Sequence, residues 1–201
     1  MDVQEPTINL DDPKYHSIRN FRVVRFVDQG RRANVFKVAD KNRTIYALKV
    51  AREDTEERFL QAIRSFASEP IKTKTYKELG LAHASIIQSH TTFIVKEWVE
   101  GMRGDAWIKQ WTMACTPHNS IQATALRKLV HTLSKRGVYV GDLNAKNVIW
   151  KAGRWVIVDS GSIRRRLTFD EAITRYVTNI PKRWGKHGDG STVSALEALL
   201  S

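Results

Sequence analysis

The chain is poor in cysteine and contains no long hydrophobic run. Cys115 is the only cysteine among 201 residues, so an intramolecular disulfide and a multi-cysteine metal site are both excluded. A reducing compartment is therefore the expected environment. The acidic start, MDVQEPTINLDDPKYHS, lacks an apolar stretch and predicts neither a secretory signal peptide nor a membrane-spanning helix. The six histidines show no HExxH or paired spacing, which argues against a histidine metal site.

Acidic residues are also scarce relative to basic ones. Lys and Arg number 33 against 21 Asp and Glu, for a net charge of +12. The excess is distributed along the chain and is not confined to a tail. Such a surface is compatible with nucleic acid, an anionic membrane, a phosphate-rich ligand or an acidic protein, and it selects none of them. The length suits one globular domain.

The first half of the chain predicts a small antiparallel sheet with helices. Apolar alternation over 21–51 predicts three strands, FRVVRFV, VFKVA and IYALKVA, joined by short turns. Residues 54–67 predict a helix, and 70–79 a second helical stretch behind Pro70. Two further strands are expected, at Ile86–Ser89 and Thr92–Val99.

The second half begins with a predicted helix at 120–135. Ser120 is a suitable N-cap, and helical spacing places Ile121, Ala125, Leu129 and Leu133 on one face, expected to be buried. Two apolar runs follow, VYVGDLNAKNVIW and RWVIVDSG, each interrupted by an acidic residue. The six tryptophans are scattered among these elements, which favours core packing over base stacking.

Those acidic interruptions, Asp142 and Asp159, are the candidate functional residues. A buried lone carboxylate is costly unless a cation meets it, so two neighbouring carboxylates indicate a divalent cation. Asn147 adds a neutral oxygen ligand, and Lys49 places a charge in a strand where it can reach a phosphate. Oxygen ligands of this kind suit Mg²⁺. Taken singly, each residue is more often an ordinary turn, cap or solvated strand residue.

The order and spacing of these residues resemble those of the eukaryotic-like protein kinase superfamily. YALKV resembles the third-strand V-A-I-K motif, GDLNAKN the H-R-D-x-x-x-x-N catalytic loop, and DSG the D-F-G motif. FIVKEWVEG is similar to the fifth strand and hinge, with Lys96 at the gatekeeper place. The match runs from about Phe21 to Gly161.

The resemblance implies a role for each matching residue. Asp142 orients the acceptor hydroxyl and takes its proton, Lys49 holds the α and β phosphates of ATP, and Asn144 completes the catalytic set. Asn147 and Asp159 bind Mg²⁺. Glu69, with Glu57 in reserve, pairs with Lys49, although Pro70 disfavours helical geometry at Glu69. The remaining nucleotide contacts are expected from Gly30, Val27, Val35 and Ala47, and from the backbone of Glu97 and Val99.

The chain departs from the family pattern at several places. Only Gly30 of the three loop glycines is present, Val140 and Gly141 replace the His-Arg before the catalytic Asp, and Asn144 replaces a Lys. Ser160 replaces the Phe of D-F-G. Residues 160–201 contain no Ala-Pro-Glu motif and are too short for the usual later helices.

The expected fold is therefore α+β: a two-lobed, protein-kinase-like fold with an antiparallel-sheet N-lobe and a reduced, mostly helical C-lobe. The expected boundaries are an N-terminal extension at 1–20, an N-lobe at about 21–100, a hinge at about 97–101 and a C-lobe at about 102–201. In its truncation and its DLN loop the chain looks like the compact kinases that Gram-negative pathogens inject by type III secretion. Lipopolysaccharide core kinases and the small kinase of the tRNA threonylcarbamoylation complex share parts of the pattern.

The resemblance implies a Ser/Thr protein kinase that uses ATP and Mg²⁺. The expected partner is a host protein, which the chain would meet in the host cytoplasm after a type III system has secreted it. The chain is expected to be a monomer that requires no nucleic acid and has no membrane span. Two alternatives remain open. A small-molecule kinase acting on a sugar or a lipopolysaccharide-type acceptor also fits GDLNAKN, and the depleted glycine loop and Pro70 favour a pseudokinase binding module.

Overall fold

A computed structural model describes residues 6–113, 120–159 and 161–200. They form an α+β fold with a five-stranded antiparallel sheet and several helices, which confirms the expected fold class at that level. The chain divides into two compact units, Met1–Thr75 with Ala84–Trp98 and Tyr76–His83 with Val99–Ser201. Within the described ranges no helix combines the length and apolar character needed to cross a membrane. Cys115 and Ser160 lie outside these ranges.

The first unit is built on the five-stranded sheet. Its strands pair antiparallel in the order β1-β2-β3-β5-β4, and the helix α1 joins the third strand to the fourth. The sequence prediction of these strands is confirmed to within two residues at each end. The elements are β1 (Arg22–Gln29), β2 (Ala33–Ala39), β3 (Ile45–Ala51), α1 (Glu56–Glu78), β4 (Ile86–Ser89) and β5 (Phe93–Glu97).

Both faces of this sheet are covered. On one face, Ala62 and Phe66 of α1 pack against Ala33, Ala51 and Ile94. On the other, a 3₁₀ helix at Pro13–Ile18 and the residues before it join a cluster of buried strand residues. Three residues of the expected N-terminal extension therefore belong to the core of this unit. That cluster contains Leu10, Tyr15, Ile18, Phe36, Val38, Leu48, Val50, Phe93 and Val95.

The two predicted helical stretches of this unit are a single helix. α1 runs without interruption from Glu56 to Glu78 and includes Pro70, so the expected break there is wrong. The residue before the proline, Glu69, is helical and buried, although X-Pro geometry locally disfavours this. The proline itself is exposed, and the buried residues at 62, 66 and 69 continue one face past it. Tertiary packing on that face overrides the local preference.

In its described residues the second unit combines short strands with four α-helices and a 3₁₀ helix at Ala145–Asn147. β8 and β9 form a hairpin that β6 extends, and β7 pairs with β10. Residues 160–201, expected to be too short for the usual later helices of a kinase C-lobe, contain two helices in their described part, α4 and α5. The elements are β6 (Met102–Arg103), α2 (Gly104–Met113), α3 (Ile121–Lys135), β7 (Tyr139–Val140), β8 (Val148–Lys151), β9 (Arg154–Ile157), β10 (Ile163–Arg164), α4 (Phe169–Gly185) and α5 (Thr192–Leu200).

The core of the second unit is centred on tryptophan. Trp107, Trp155 and Trp184 contact one another with ring centroids 5.5–6.0 Å apart, and Trp111 and Trp150 extend the cluster. This confirms the packing interpretation for these five tryptophans.

Helix α3 begins as expected, and its buried face overlaps the predicted one in part. Ser120 caps it by accepting a hydrogen bond from the Ala123 backbone. Ile121, expected to be buried, is 65% exposed, and the buried residues of the helix are Ala123, Leu126, Val130, Leu133 and Ser134. Leu133 is buried as expected, and Ala125 and Leu129 are partly buried against the same core. The predicted stripe, spaced every four residues, therefore departs from the buried face at its Ile121 end.

Candidate functional site

The first unit brings three of the expected nucleotide-contacting residues to one sheet face. Val35 pairs directly with Lys49 across β2 and β3, and Ala47 lies two residues before Lys49, so the three side chains project from the same face. Ala47 is also paired with Lys96 of β5. Lys37 of β2 is the other partner of Ala47, so three lysines and two small apolar residues share this face.

Glu69 is held by a lysine that sequence reasoning did not assign to it. The Lys96 Nζ donates to Glu69 Oε2 at 3.1 Å, and both residues are buried, with 8% and 1% of their surface exposed. The Lys72 Nζ lies 3.7 Å from Oε1 of the same carboxylate. The Lys49 Nζ lies 5.9 Å from the centre of the Phe66 ring, one turn before Glu69 on α1. The Lys49–Glu69 pair stays a prediction.

The remaining expected nucleotide contacts occupy strand ends and turns. Gly30 begins the β1–β2 turn, where its N–H donates to the Ala33 carbonyl and its own carbonyl accepts from Arg52. Val27 lies at an irregularity in the β1–β2 ladder. The Glu97 N–H donates a hydrogen bond to the Ser85 carbonyl. Val99 is buried in the second unit, and Glu57, the reserve glutamate, is exposed and bonded to Gln61.

The second unit organises the predicted catalytic loop around Asp142. Asn144 donates from Nδ2 to Asp142 Oδ1 at 2.8 Å, and its own Oδ1 accepts from the Lys146 backbone. Asn147 donates from Nδ2 to the Asp142 carbonyl oxygen at 3.1 Å. The loop is therefore bonded internally at three points, with Asp142 at its centre.

Gly161 and Ser162 lie against this loop. A Cβ on Gly161 would come within 2.6 Å of the Asp142 Cβ, so only glycine permits the approach. A Cβ on Gly141 would meet Ser162 in the same way, and the Gly141 N–H donates to the Ser162 carbonyl. The two motifs that the sequence separates by almost twenty residues are thus adjacent in this unit.

Asn147 and Asp159 are likewise brought to the same end of the β8–β9 hairpin. The Val158 N–H donates to the Asn147 carbonyl at 2.9 Å, which continues the ladder that pairs Val148 with Ile157. Asp159 is the next residue along the chain. Both are partly buried. Asn147 immediately precedes β8, and Asp159 comes two residues after β9 ends.

Helix α4 holds the loop from the other side, through residues that the sequence reading did not identify. The Tyr176 hydroxyl accepts from the Val140 N–H at 2.8 Å and donates to the Val138 carbonyl at 3.2 Å. The Trp184 Nε1 donates to the Leu143 carbonyl at 2.9 Å. Arg183 donates to the Gly141 carbonyl, and its Nη1 lies 3.5 Å from Asp142 Oδ1. The four-residue spacing of Ala172, Tyr176, Ile180 and Trp184 on α4 signals burial, but it does not reveal these partners.

Tyr176→Phe is expected to lower the free energy of unfolding by about 1–3 kcal/mol, because it leaves the buried Val140 N–H without its acceptor. Tyr46→Phe is the matched control, since its hydroxyl makes only a long, 3.4 Å bond to Asp40, and we expect a change of a few tenths of a kcal/mol. Urea denaturation followed by circular dichroism measures both. Equal destabilisation by the two variants would contradict the assigned role.

The same variant has a predicted pH signature. Burial raises the pKa of Tyr176 above its ordinary value of 10.0, and the Val140 N–H only partly opposes this. The folded state favours the neutral phenol of Tyr176. The contribution of this phenol to the free energy of unfolding is therefore complete below pH 10.0, and it declines as the pH rises from there towards the folded-state pKa. The stability difference between the wild type and Tyr176→Phe should therefore narrow above pH 10.0. A constant difference would argue against this burial.

The donor set fits magnesium. The Nδ2 atom of Asn147 is committed to Asp142, so the polar atom that remains for a ligand is its Oδ1 oxygen. Asp159 supplies a carboxylate, and Mg²⁺ prefers oxygen ligands while retaining water and phosphate oxygens in its shell. Among the described residues no group of three or more His, Cys, Asp and Glu side chains is arranged around a common metal position.

The chain matches no protein-family model. A search of curated proteins also finds no match.

Proposed function

We propose that the chain is a minimal, two-lobed protein kinase that uses ATP and Mg²⁺ to phosphorylate Ser or Thr of a protein. In this proposal the chain is a bacterial effector and its substrate is a host protein. The observation that carries the proposal is the second unit's grouping of Asp142, Asn147, Asp159 and Gly161. The order of these motifs along the chain supports it independently.

In the proposed reaction the hydroxyl oxygen of the acceptor attacks the γ-phosphorus of ATP. The bond from that phosphorus to the bridging β–γ oxygen breaks, ADP leaves, and the hydroxyl proton passes to the Asp142 carboxylate. Asn147 and Asp159 would hold Mg²⁺, which neutralises charge on the phosphate oxygens when it is bound. Lys49 would hold the α and β phosphates, and Val27, Val35 and Ala47 would contact the adenine.

The test combines nucleotide binding with transfer. At an ATP concentration about a hundred times the Kd, Mg-ATP should stabilise the chain by about 2.7 kcal/mol, a rise of roughly 5–10 °C in Tm. The wild-type chain should transfer radiolabelled γ-phosphate to a protein in a eukaryotic extract, and Asp142→Asn should not. Absence of both the shift and the transfer would contradict the proposal, and identification of the labelled residue would test the Ser/Thr assignment.

A pseudokinase binding module is the second candidate. The buried Lys96–Glu69 pair favours it, because the glutamate expected to hold Lys49 already has a partner at 3.1 Å. Under this alternative, ATP raises Tm but no phosphate is transferred to any protein in the extract. The two measurements above therefore separate the candidates.

A further inference from the structure

Arg183 makes an unexpected contact at the centre of the catalytic loop. It lies near the end of α4, and its guanidinium donates to the carbonyl of Gly141, the residue immediately before Asp142. The Nη1 atom also lies 3.5 Å from Asp142 Oδ1. One side chain thus contacts both the backbone that carries Asp142 and its carboxylate.

The pair is not a buried structural ion pair. The side chains of Arg183 and Asp142 are 40% and 44% exposed, and ion pairs with this exposure contribute about 0–1 kcal/mol to stability. The loop also has other anchors, because Tyr176 and Trp184 bind its backbone from the same helix. Stability alone therefore gives a weak account of why a guanidinium lies here.

The contacts do constrain the direction of the carboxylate. Asp142 Oδ1 accepts from Asn144 Nδ2 at 2.8 Å and lies next to Arg183, so both contacts fall on the same oxygen. The hydrogen bonds that the described residues make to this carboxylate leave Oδ2 for another donor. A carboxylate that takes a proton from an acceptor hydroxyl needs one oxygen fixed and the other available.

We propose that Arg183 is a positioning residue of the transfer site, which fixes Asp142 and places a positive charge beside it. The inference rests on the proposed function. The kinase resemblance leads one to expect a lysine two residues after the catalytic aspartate, where this chain has Asn144. Arg183 supplies a cation to the same carboxylate from a helix 41 residues away in sequence.

Removing this cation should lower the rate of transfer more than it lowers nucleotide binding. Phosphoryl transfer depends mainly on positioning and charge neutralisation, and small displacements of a catalytic group reduce rates by about a hundredfold. The residues expected to bind the adenine and the α and β phosphates are Val35, Ala47 and Lys49 of the first unit. We therefore expect Arg183→Gln to reduce kcat about 10- to 100-fold, with KM for ATP changed by less than about threefold.

The experiment compares Arg183→Gln, Arg183→Lys and Lys182→Gln for kcat, for KM and for thermal unfolding. Lys182 is the neighbouring, exposed residue of α4. Its replacement also removes one positive charge, but at a position that does not contact Asp142. Arg183→Lys should recover part of the loss, and Lys182→Gln should match the wild type. Guanidinium ion at a non-denaturing concentration should raise the activity of Arg183→Ala, and urea, its neutral analogue, should not.

The outcomes separate this inference from the proposed function. Wild-type kcat in Arg183→Gln, together with an inactive Asp142→Asn, would overturn the inference alone. A kcat loss explained by unfolding and not rescued by guanidinium would also overturn it. Should the wild type transfer no phosphate, the proposed function fails and the inference fails with it.

Discussion

Asp159→Asn is expected to reduce phosphate transfer by about a thousandfold or more, the range found when a group that neutralises the transferring phosphoryl group is removed. The amide keeps the shape of the carboxylate but loses the charge that would hold Mg²⁺. The fold should persist, because Asp159 comes after β9 has ended and is only partly buried. Transfer of radiolabelled γ-phosphate and a thermal unfolding curve measure the two effects.

The control for this variant is Asp170→Asn, which removes the same charge from the exposed first turn of α4. It should transfer phosphate at the wild-type rate. Transfer by Asp159→Asn at the wild-type rate would contradict the assignment of Asp159 as a metal ligand. Both variants should unfold at the wild-type temperature. If only Asp159→Asn then loses the Mg-dependent thermal shift with ATP, its loss of phosphate transfer is caused by a loss of Mg-ATP binding.

The second large effect is expected from the buried ion pair of the first unit. Lys96→Met should lower the free energy of unfolding by about 3–5 kcal/mol, because it leaves the Glu69 carboxylate, 1% exposed, without its 3.1 Å partner. Lys72, at 3.7 Å, replaces only part of that interaction. Urea denaturation monitored by circular dichroism measures the change.

Two comparisons make this prediction specific. Lys14→Met breaks an ion pair of similar length, 2.9 Å to Glu53, but one with side chains 35% and 46% exposed, and should cost less than about 1 kcal/mol. The double variant Lys96→Met with Glu69→Leu removes both buried charges and should recover most of the lost stability. A double variant no more stable than Lys96→Met would show that the packing around this pair matters more than its charge.

Lys96 also shows where sequence reasoning about the site stops. The apolar strand FIVKE marks it as a charge in a buried element, and a buried charge requires a partner. That requirement does not name the partner, which lies 27 residues earlier on another element. Arg183 had no sequence signal at all, because it is one basic residue among many on an amphipathic helix.

Other parts of the site were predicted from the sequence. Asp142 and Asp159 were expected to be neighbours, and the structure brings Gly161 against Asp142, although the strands that precede the two aspartates, β7 and β9, belong to different sheets. Val35, Ala47 and Lys49 share a face because strand side chains alternate with a period of two. The metal-binding, catalytic and nucleotide-binding roles of these residues remain predictions that the variants above test.

By itself, the sequence determined the strands of the first unit, the Ser120 cap of α3 and the ends of the strands at Asp142 and Asp159, because each follows from the alternation or capping of neighbouring residues. Only the tertiary structure decided that α1 continues through Pro70, that Leu10, Tyr15 and Ile18 join the sheet's core, and which lysine and arginine meet Glu69 and Asp142. These features depend on packing and ion pairs between residues distant in sequence. Local preference gives way there because burying an apolar face or pairing a buried charge involves larger free energies than a single residue's propensity.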